Sequence, residues 1–261
     1  MTRVTILGCG ASGGVPRIGN DWGTCDPTEV RNRRLRSSIV VEQGPGRVLI
    51  DTTPDLRQQL LNNDFSEFDA VLYTHAHADH SHGIDDMRTL MRVNGHAYPV
   101  YASAETFRML KRNFAYAFAS EDKLYDPYYI DHLINGPFSV GNMQIRPYEQ
   151  SHGYMPSTGF RIGGVAYSTD LVNLPEQAME TLAGVDTLII QALRPDPHPT
   201  HAHLDMALEW IEKIAPRRAV LTHMNHQMDY QTLAKSLPEG VEPAWDGMVI
   251  EIDDSPDDTS V

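Results

Sequence analysis

The stretch Asp69–Gly83, DAVLYTHAHADHSHG, constrains this chain more than any other. Its opening, Asp69 to Thr74, reads as a short buried strand that is apolar, partly β-branched and closed by a polar turn. His75-Ala-His-Ala-Asp-His80 follows at once, so four metal-capable side chains crowd onto one strand end. In extended backbone His75 and His77 point to the same side, because side-chain direction repeats every two residues. Asp79 and His80 are adjacent and diverge unless the chain turns there. Both face inward only if they serve a second position beside the first, which suits two metals better than one. Neutral imidazoles with a carboxylate suit zinc, and also iron, cobalt or manganese. The small Ala76 and Ala78 let the backbone approach the ions. A lone loop histidine would be a solvated side chain; a strand-terminal H-x-H-x-D-H is a metal motif.

The rest of the chain has to supply a scaffold for that motif. Its 261 residues, 41% hydrophobic, are enough for one large α/β domain. No apolar run approaches the ~18 residues of a membrane span. The N-terminus enters a strand directly, without the apolar region of a signal peptide. Cys9 and Cys25 are the only cysteines, too few for a disulfide framework, which fits a reducing cytoplasm. A formal net charge of −14 argues against nucleic acid polymers as partners. Residues 1–252 read as a single domain, and the acidic residues 253–261 as a disordered tail.

Strands are predicted at Val4–Leu7, Ser38–Glu42, Arg47–Asp51, Tyr98–Ala102, Thr158–Ile162, Val165–Ser168, Thr187–Ala192, Ala219–Leu221 and Gly247–Ile252. Phe138–Glu149 reads as two more. Helices are predicted from Asp55, as a cap, to Asn62, then at Ile84–Val93, Ala104–Phe118, Pro175–Leu182, Leu204–Ile214 and Tyr230–Leu237. His82, at a helix start, reads as a capping or packing residue. Residues 121–135, aromatic and polar with a proline, suit a lid or a dimer contact. The loop Gly8-Cys-Gly-Ala-Ser-Gly-Gly14 allows close backbone approach to an anion, with Ser12 and Gly13 as candidate substrate contacts. Arg31-Asn-Arg-Arg-Leu-Arg36 is the densest positive cluster of an acidic chain. Arginine suits bidentate phosphate contacts, so Arg33 and Arg34 are candidate phosphate binders. His152, Asp170 and His223 each lie just past a predicted strand end, where ligands from several strands converge at one sheet edge.

His75-x-His77-x-Asp79-His80 resembles the signature of the metallo-β-lactamase-fold hydrolases. The resemblance implies an αββα sandwich with the metal site at one edge of the sheets. Matched residue by residue, it implies two divalent ions, zinc or manganese. His75, His77 and His152 would hold one ion, Asp79, His80 and His223 the other, and Asp170 would bridge both. Two such ions clamp a hydroxide and lower its pKa toward neutrality. Asp79 would orient that hydroxide. Thr200-His-Ala-His-Leu-Asp-Met-Ala207 resembles the T-H-x-x-L-x-x-A of family phosphodiesterases, which makes His201 the candidate general acid. His203, also a candidate substrate contact, takes the helix-cap place.

The metal motif is shared by β-lactamases, thioester and lactone hydrolases, nucleases and cyclic phosphodiesterases. Gly8–Pro16, Asp79–Arg88 and Leu221-Thr-His-Met224 are similar to the branch containing phosphoribosyl 1,2-cyclic phosphate phosphodiesterase. The expected function is therefore hydrolysis of a small phosphorylated substrate, a cyclic ribose or nucleotide phosphodiester. A thioester or lactone hydrolase on the same site is the alternative, and a metal-poor small-molecule carrier is an alternative of another class. That branch also holds a structural zinc on a cysteine cluster and a histidine. This chain keeps only Cys25 and His226 of that set. Family members are often dimers, which leaves a homodimer open.

Overall fold

Strand residues here alternate between two hydrophobic layers, and that alternation builds the architecture. The computed structural model describes residues 1–119 and 126–253. Among these, fourteen strands form two sheets of seven. The first sheet contains β1 (Thr2–Gly8), β2 (Ser38–Gln43), β3 (Gly46–Ile50), β4 (Ala70–Leu72), β5 (Tyr98–Ala102), β6 (Tyr129–Leu133) and the returning β14 (Val249–Ile252). The second contains β7 (Phe138–Val140), β8 (Met143–His152), β9 (Met155–Ile162), β10 (Val165–Ser168), β11 (Thr187–Gln191), β12 (Arg218–Thr222) and β13 (Val241–Pro243).

Along β2, Ile39 and Val41 enter the core between the sheets, while Val40 enters a second core on the outer face. Val48 and Ile50 against Leu49, and Ala70 and Leu72 against Val71, repeat the pattern in β3 and β4. This is the two-residue period of a sheet buried on both faces. Helices α1 (Leu56–Asn62), α3 (Asp86–Asn94) and α4 (Ala104–Asn113) cover the outer face of the first sheet through Leu56, Leu60, Met87, Phe107 and Leu110. Helices α6 (Glu176–Leu182), α7 (Leu204–Ile214) and α8 (Tyr230–Ser236) cover the second. The result is the expected αββα sandwich.

The two sheets share one wiring. In the order β14-β1-β2-β3-β4-β5-β6, three antiparallel pairings are followed by three parallel ones. The order β7-β8-β9-β10-β11-β12-β13 repeats that sequence of pairings.

The structure departs from several expectations. Asp79 and His80 lie on a one-turn helix, α2 (Ala78–Ser81), so the chain does turn inside the metal motif. The helix expected over Ala104–Phe118 breaks at Phe114 (φ −133°, ψ 43°), and α5 (Ala115–Phe118) is separate. Asp55 precedes α1 without capping it, because its carboxylate accepts from the backbone N–H and guanidinium of Arg36. Part of the expected 121–135 loop is strand: Tyr129–Leu133 pairs parallel with β5. Residues 120–125 of that loop and 254–261 of the expected tail lie outside the described residues. Among the described residues, no helix is long and apolar enough to cross a membrane.

Candidate metal centre

Strand ends deliver the site. His75 lies three residues past the end of β4, His152 closes β8, Asp170 lies two past β10, and His223 directly follows β12. Extended backbone runs as far as His77, where α2 begins; its tight turn then swings Asp79 and His80 toward the same space. Asp170 and His223 both sit in the left-handed region (φ 53° and 55°), which a non-glycine residue adopts only when its surroundings enforce it.

All seven expected ligands converge. The donor atoms of His75, His77 and His152 lie within 4.8 Å of one another, as do those of Asp79, His80, Asp170 and His223. Asp170 stands between the groups. Its Oδ1 is 3.6 Å from His152 Nε2 and 4.0 Å from His75 Nε2, while its Oδ2 is 2.9 Å from His80 Nε2 and 3.3 Å from His223 Nδ1. His75, His80, His152, Asp170 and His223 are buried, whereas His77 and Asp79 are partly exposed and mark the open side.

The outward ring nitrogens determine what the inward ones present. His152 Nδ1 donates to the Thr200 carbonyl at 2.8 Å. His80 Nδ1 donates to Asp51 Oδ2 at 2.7 Å. Thr74 Oγ1 gives its proton to Asp51, so it accepts from His75 Nδ1 at 3.0 Å. In the neutral imidazoles all three Nε2 atoms are then bare lone pairs aimed inward. His80 Nε2 is buried and forms no hydrogen bond, although a carboxylate oxygen is 2.9 Å away. With His80 neutral, lone pairs face lone pairs in a closed space, a mismatch that a proton or a metal ion relieves, and the nitrogen and carboxylate donors gathered here fit a zinc-like divalent ion.

The titration of these groups shows the same demand. Burial pulls His75, His77 and His223 below the usual histidine value. Burial acts the same way on His80, but Asp170, Asp79 and Asp51 outweigh it and hold His80 well above that value. Burial pushes Asp170 up, and the imidazoles of His223 and His80 overcome it, leaving Asp170 well below the carboxylate range.

Of the further candidates, only His201 joins the cluster. Its Nδ1 donates to Gln191 Oε1 at 3.1 Å and lies 3.5 Å from Asp170 Oδ1. Its ring stacks on His223, with centroids 5.4 Å apart. Burial lowers its pKa to about 3. His203 takes the expected helix-cap place before α7, although its side chain makes no capping bond and its Nδ1 is buried without a partner among the described residues. Arg34 is a correction. It is 2% exposed, and its guanidinium is turned to the carbonyls of Asn225 and Met228, so it holds protein backbone and not substrate. Ser12, Gly13 and Arg33 are exposed; Ser12 offers its carbonyl to Arg36, and Arg33 lies over the Trp22 ring at 4.9 Å. His82 is exposed, edge-on to Phe114. Cys25 and His226 form no metal-holding group among the described residues.

Three supporting residues escaped the sequence reading. Asp51 anchors His80 and, like Asp170, follows a strand at the antiparallel-to-parallel switch with a left-handed φ (65°). Gln191 Oε1 accepts from both the Asp170 N–H and His201, fixing one against the other. His198 accepts at Nδ1 from the Thr200 N–H at 3.3 Å, its ring 5.0 Å from that of His201. Asp51 carried a signal, since it ends a predicted strand as the ligands do.

Comparison with known proteins places this geometry. Residues 46–224 match the beta-lactamase superfamily domain. An octanoyltransferase of Porphyromonas gingivalis is 32% identical over 262 residues, covering 97% of this chain and 52% of that protein. The chain spans about half the length of the curated relatives it matches. Among solved structures, a diphosphatase from the PhnP family superposes with a TM-score of 0.88 at 36% identity, covering 97% of this chain and 98% of that one. Zinc-bound PqqB from Methylobacterium extorquens superposes with a TM-score of 0.74 at 20% identity, covering 96% and 100%.

Proposed function

This chain belongs to the beta-lactamase superfamily, as a metal-dependent hydrolase of the metallo-β-lactamase fold, and on that premise we propose that it is a two-ion phosphodiesterase acting on a small phosphorylated substrate. The observation that carries this reading is the Asp170 carboxylate, which turns one oxygen to each donor group. His75, His77 and His152 would hold one ion, Asp79, His80 and His223 the second, with Asp170 shared. Two divalent ions in such a site supply Lewis acidity and an activated water; zinc suits these donors and manganese is the second choice.

The chain's own residues do the rest. Asp51 and Thr200 hold His80 and His152 with their lone pairs inward. Asp79, on the open side, is placed to orient the attacking water. Gln191 holds His201 at Nδ1, leaving Nε2 for the substrate. Burial favours neutral His201; a phosphate anion beside it favours the second proton, which Nε2 can then pass to the departing oxygen. The net charge of −14 supports a small substrate over a nucleic acid polymer. The buried free thiols of Cys9 and Cys25 suit the cytoplasm.

A second reading concerns only the bond cut. The neighbour at 36% identity is a diphosphatase, which favours a P–O–P linkage as an alternative to a cyclic ester. The test is hydrolysis by protein reconstituted with zinc or manganese, across a ribose cyclic phosphate, 2′,3′-cyclic nucleotides and a diphosphate-linked dinucleotide. An acyl thioester and a lactone run as controls. Turnover of one phosphate class, with two ions per chain by elemental analysis and a loss of about 100-fold or more in His201→Ala, supports the reading. Turnover of only the acyl substrates would replace it, and protein that stays folded and metal-free would point to a carrier.

A further inference from the structure

The arginine cluster finds no place at the metal centre, and the structure shows where it does belong. A cleft of about 710 Å³ opens between the loop after β1, the Arg31–Arg36 segment and helix α1. None of its lining residues is a metal ligand, and His201 is not among them. The volume falls within the range of small-molecule sites.

Four arginines, Arg17, Arg33, Arg34 and Arg36, line it against two carboxylates, Asp55 and Asp246, in a protein of net charge −14. Much of that positive charge is unspent. Arg33 forms no ion pair among the described residues, and its guanidinium rests on the face of Trp22, open to solvent. Arg17 spends Nε and Nη2 on Asp21 and keeps Nη1. Arg36 spends Nε on the Ser12 carbonyl and Nη1 on Asp55, and keeps Nη2. Arg34 is buried and spends both terminal nitrogens on the Asn225 and Met228 carbonyls, so it offers the cleft no free donor of its own. Asp21 and Asp55 hold two of these arginines in place without consuming their full donor sets. Several separated guanidinium donors and few acceptors suit a ligand with charge on more than one phosphate.

We propose that this cleft is a second anion site, apart from the metal centre, that binds a di- or polyphosphate-bearing small molecule. The proposal does not depend on the reaction at the metals. If hydrolysis of phosphodiesters fails while this binding persists, only the functional reading falls.

The test is calorimetric titration of inorganic pyrophosphate, and separately ADP, into the metal-reconstituted protein. Wild type, Arg33→Glu and His77→Ala are compared, with circular dichroism to verify folding. Binding should persist in His77→Ala and weaken with added salt. In Arg33→Glu it should weaken about tenfold or more, the worth of one charge-assisted contact. Arg33→Gln, which removes the charge without reversing it, stands in if Arg33→Glu misfolds. ADP binding more tightly than pyrophosphate identifies a nucleotide as the ligand, and equal affinity identifies the phosphates alone. Wild-type affinity in the Arg33 variants overturns the proposal. So does binding that vanishes in His77→Ala, which would belong to the metal centre, or no binding of either ligand at millimolar concentration.

Discussion

A methyl group on Gly83 would stand 1.9 Å from the Thr53 carbonyl oxygen and 2.9 Å from Leu56 Cβ. Neither side can retreat easily, because the Gly83 N–H donates to Thr52 O and the Thr52 N–H to His80 O, both at 2.9 Å. Gly83→Ala should therefore destabilise the protein by about 2–3 kcal/mol and lower its metal content, read from the urea midpoint and from elemental analysis. Asp51 acts one step behind the ligands. Asp51→Asn should keep the fold but weaken metal binding by about 10- to 100-fold, measured by chelator competition, because His80 loses the carboxylate that orients it. At this scale the convergence of the seven candidate donors was legible because histidines and carboxylates at strand ends are conspicuous in sequence. Arg34 was misread for a physical reason: an arginine in a charged run gives no hint that its side chain turns inward onto backbone carbonyls nearly two hundred residues later in the chain.

Between residue and fold, the loop from Gly8 to Arg36 replaces regular structure with a polar clip. Asn32 Nδ2 donates to Asp229 at 2.8 Å, the Asp26 N–H donates to the same carboxylate at 3.1 Å, and Arg34 reaches Met228 O at 2.7 Å. The clip grips the segment that follows His223, so loop and ligand are linked. Arg34→Met should cost about 2–4 kcal/mol in thermal or urea unfolding, since buried carbonyls lose their donors. Arg34→Lys should recover little, because an ammonium cannot span both carbonyls. Hydrophobic periodicity made most strands and helices readable, but not the one-turn helix α2, the short strand β13, the break at Phe114 or the strand Tyr129–Leu133. The apolar spacing of Ala104–Phe118 continues through Phe114, where only the backbone breaks. Tyr129–Leu133 reads as loop because four of its five residues are exposed, as befits an edge strand.

For the molecule as a whole, the shared wiring of the two sheets was invisible in sequence, since pairing order is conserved by geometry and needs no residue repeat. Global stability should carry the mark of one buried acid. Asp246 accepts from the Leu35 and Cys9 N–H groups, and burial raises its pKa from 3.8 to about 7 against those bonds. In the unfolded chain it ionises near its ordinary value, so its contribution is whole below about pH 4 and is lost as pH rises through about 7. The loss is on the order of 4 kcal/mol. Asp246→Asn cannot ionise, so its melting temperature relative to wild type should climb between about pH 5 and about pH 8. A constant difference across that range would contradict the assignment.

The division of ligands between the halves also has a consequence in time. Four of them, His75 to His80, leave the ribosome early, while His152, Asp170 and His223 come from the second sheet. If these seven residues hold metal as proposed, the first four alone would grip it only loosely, and a tight grip would wait until His223 has emerged and both sheets have met. Metal capture would then be a late event in the life of the nascent chain, and a polypeptide stalled or cut before that point would be left without it.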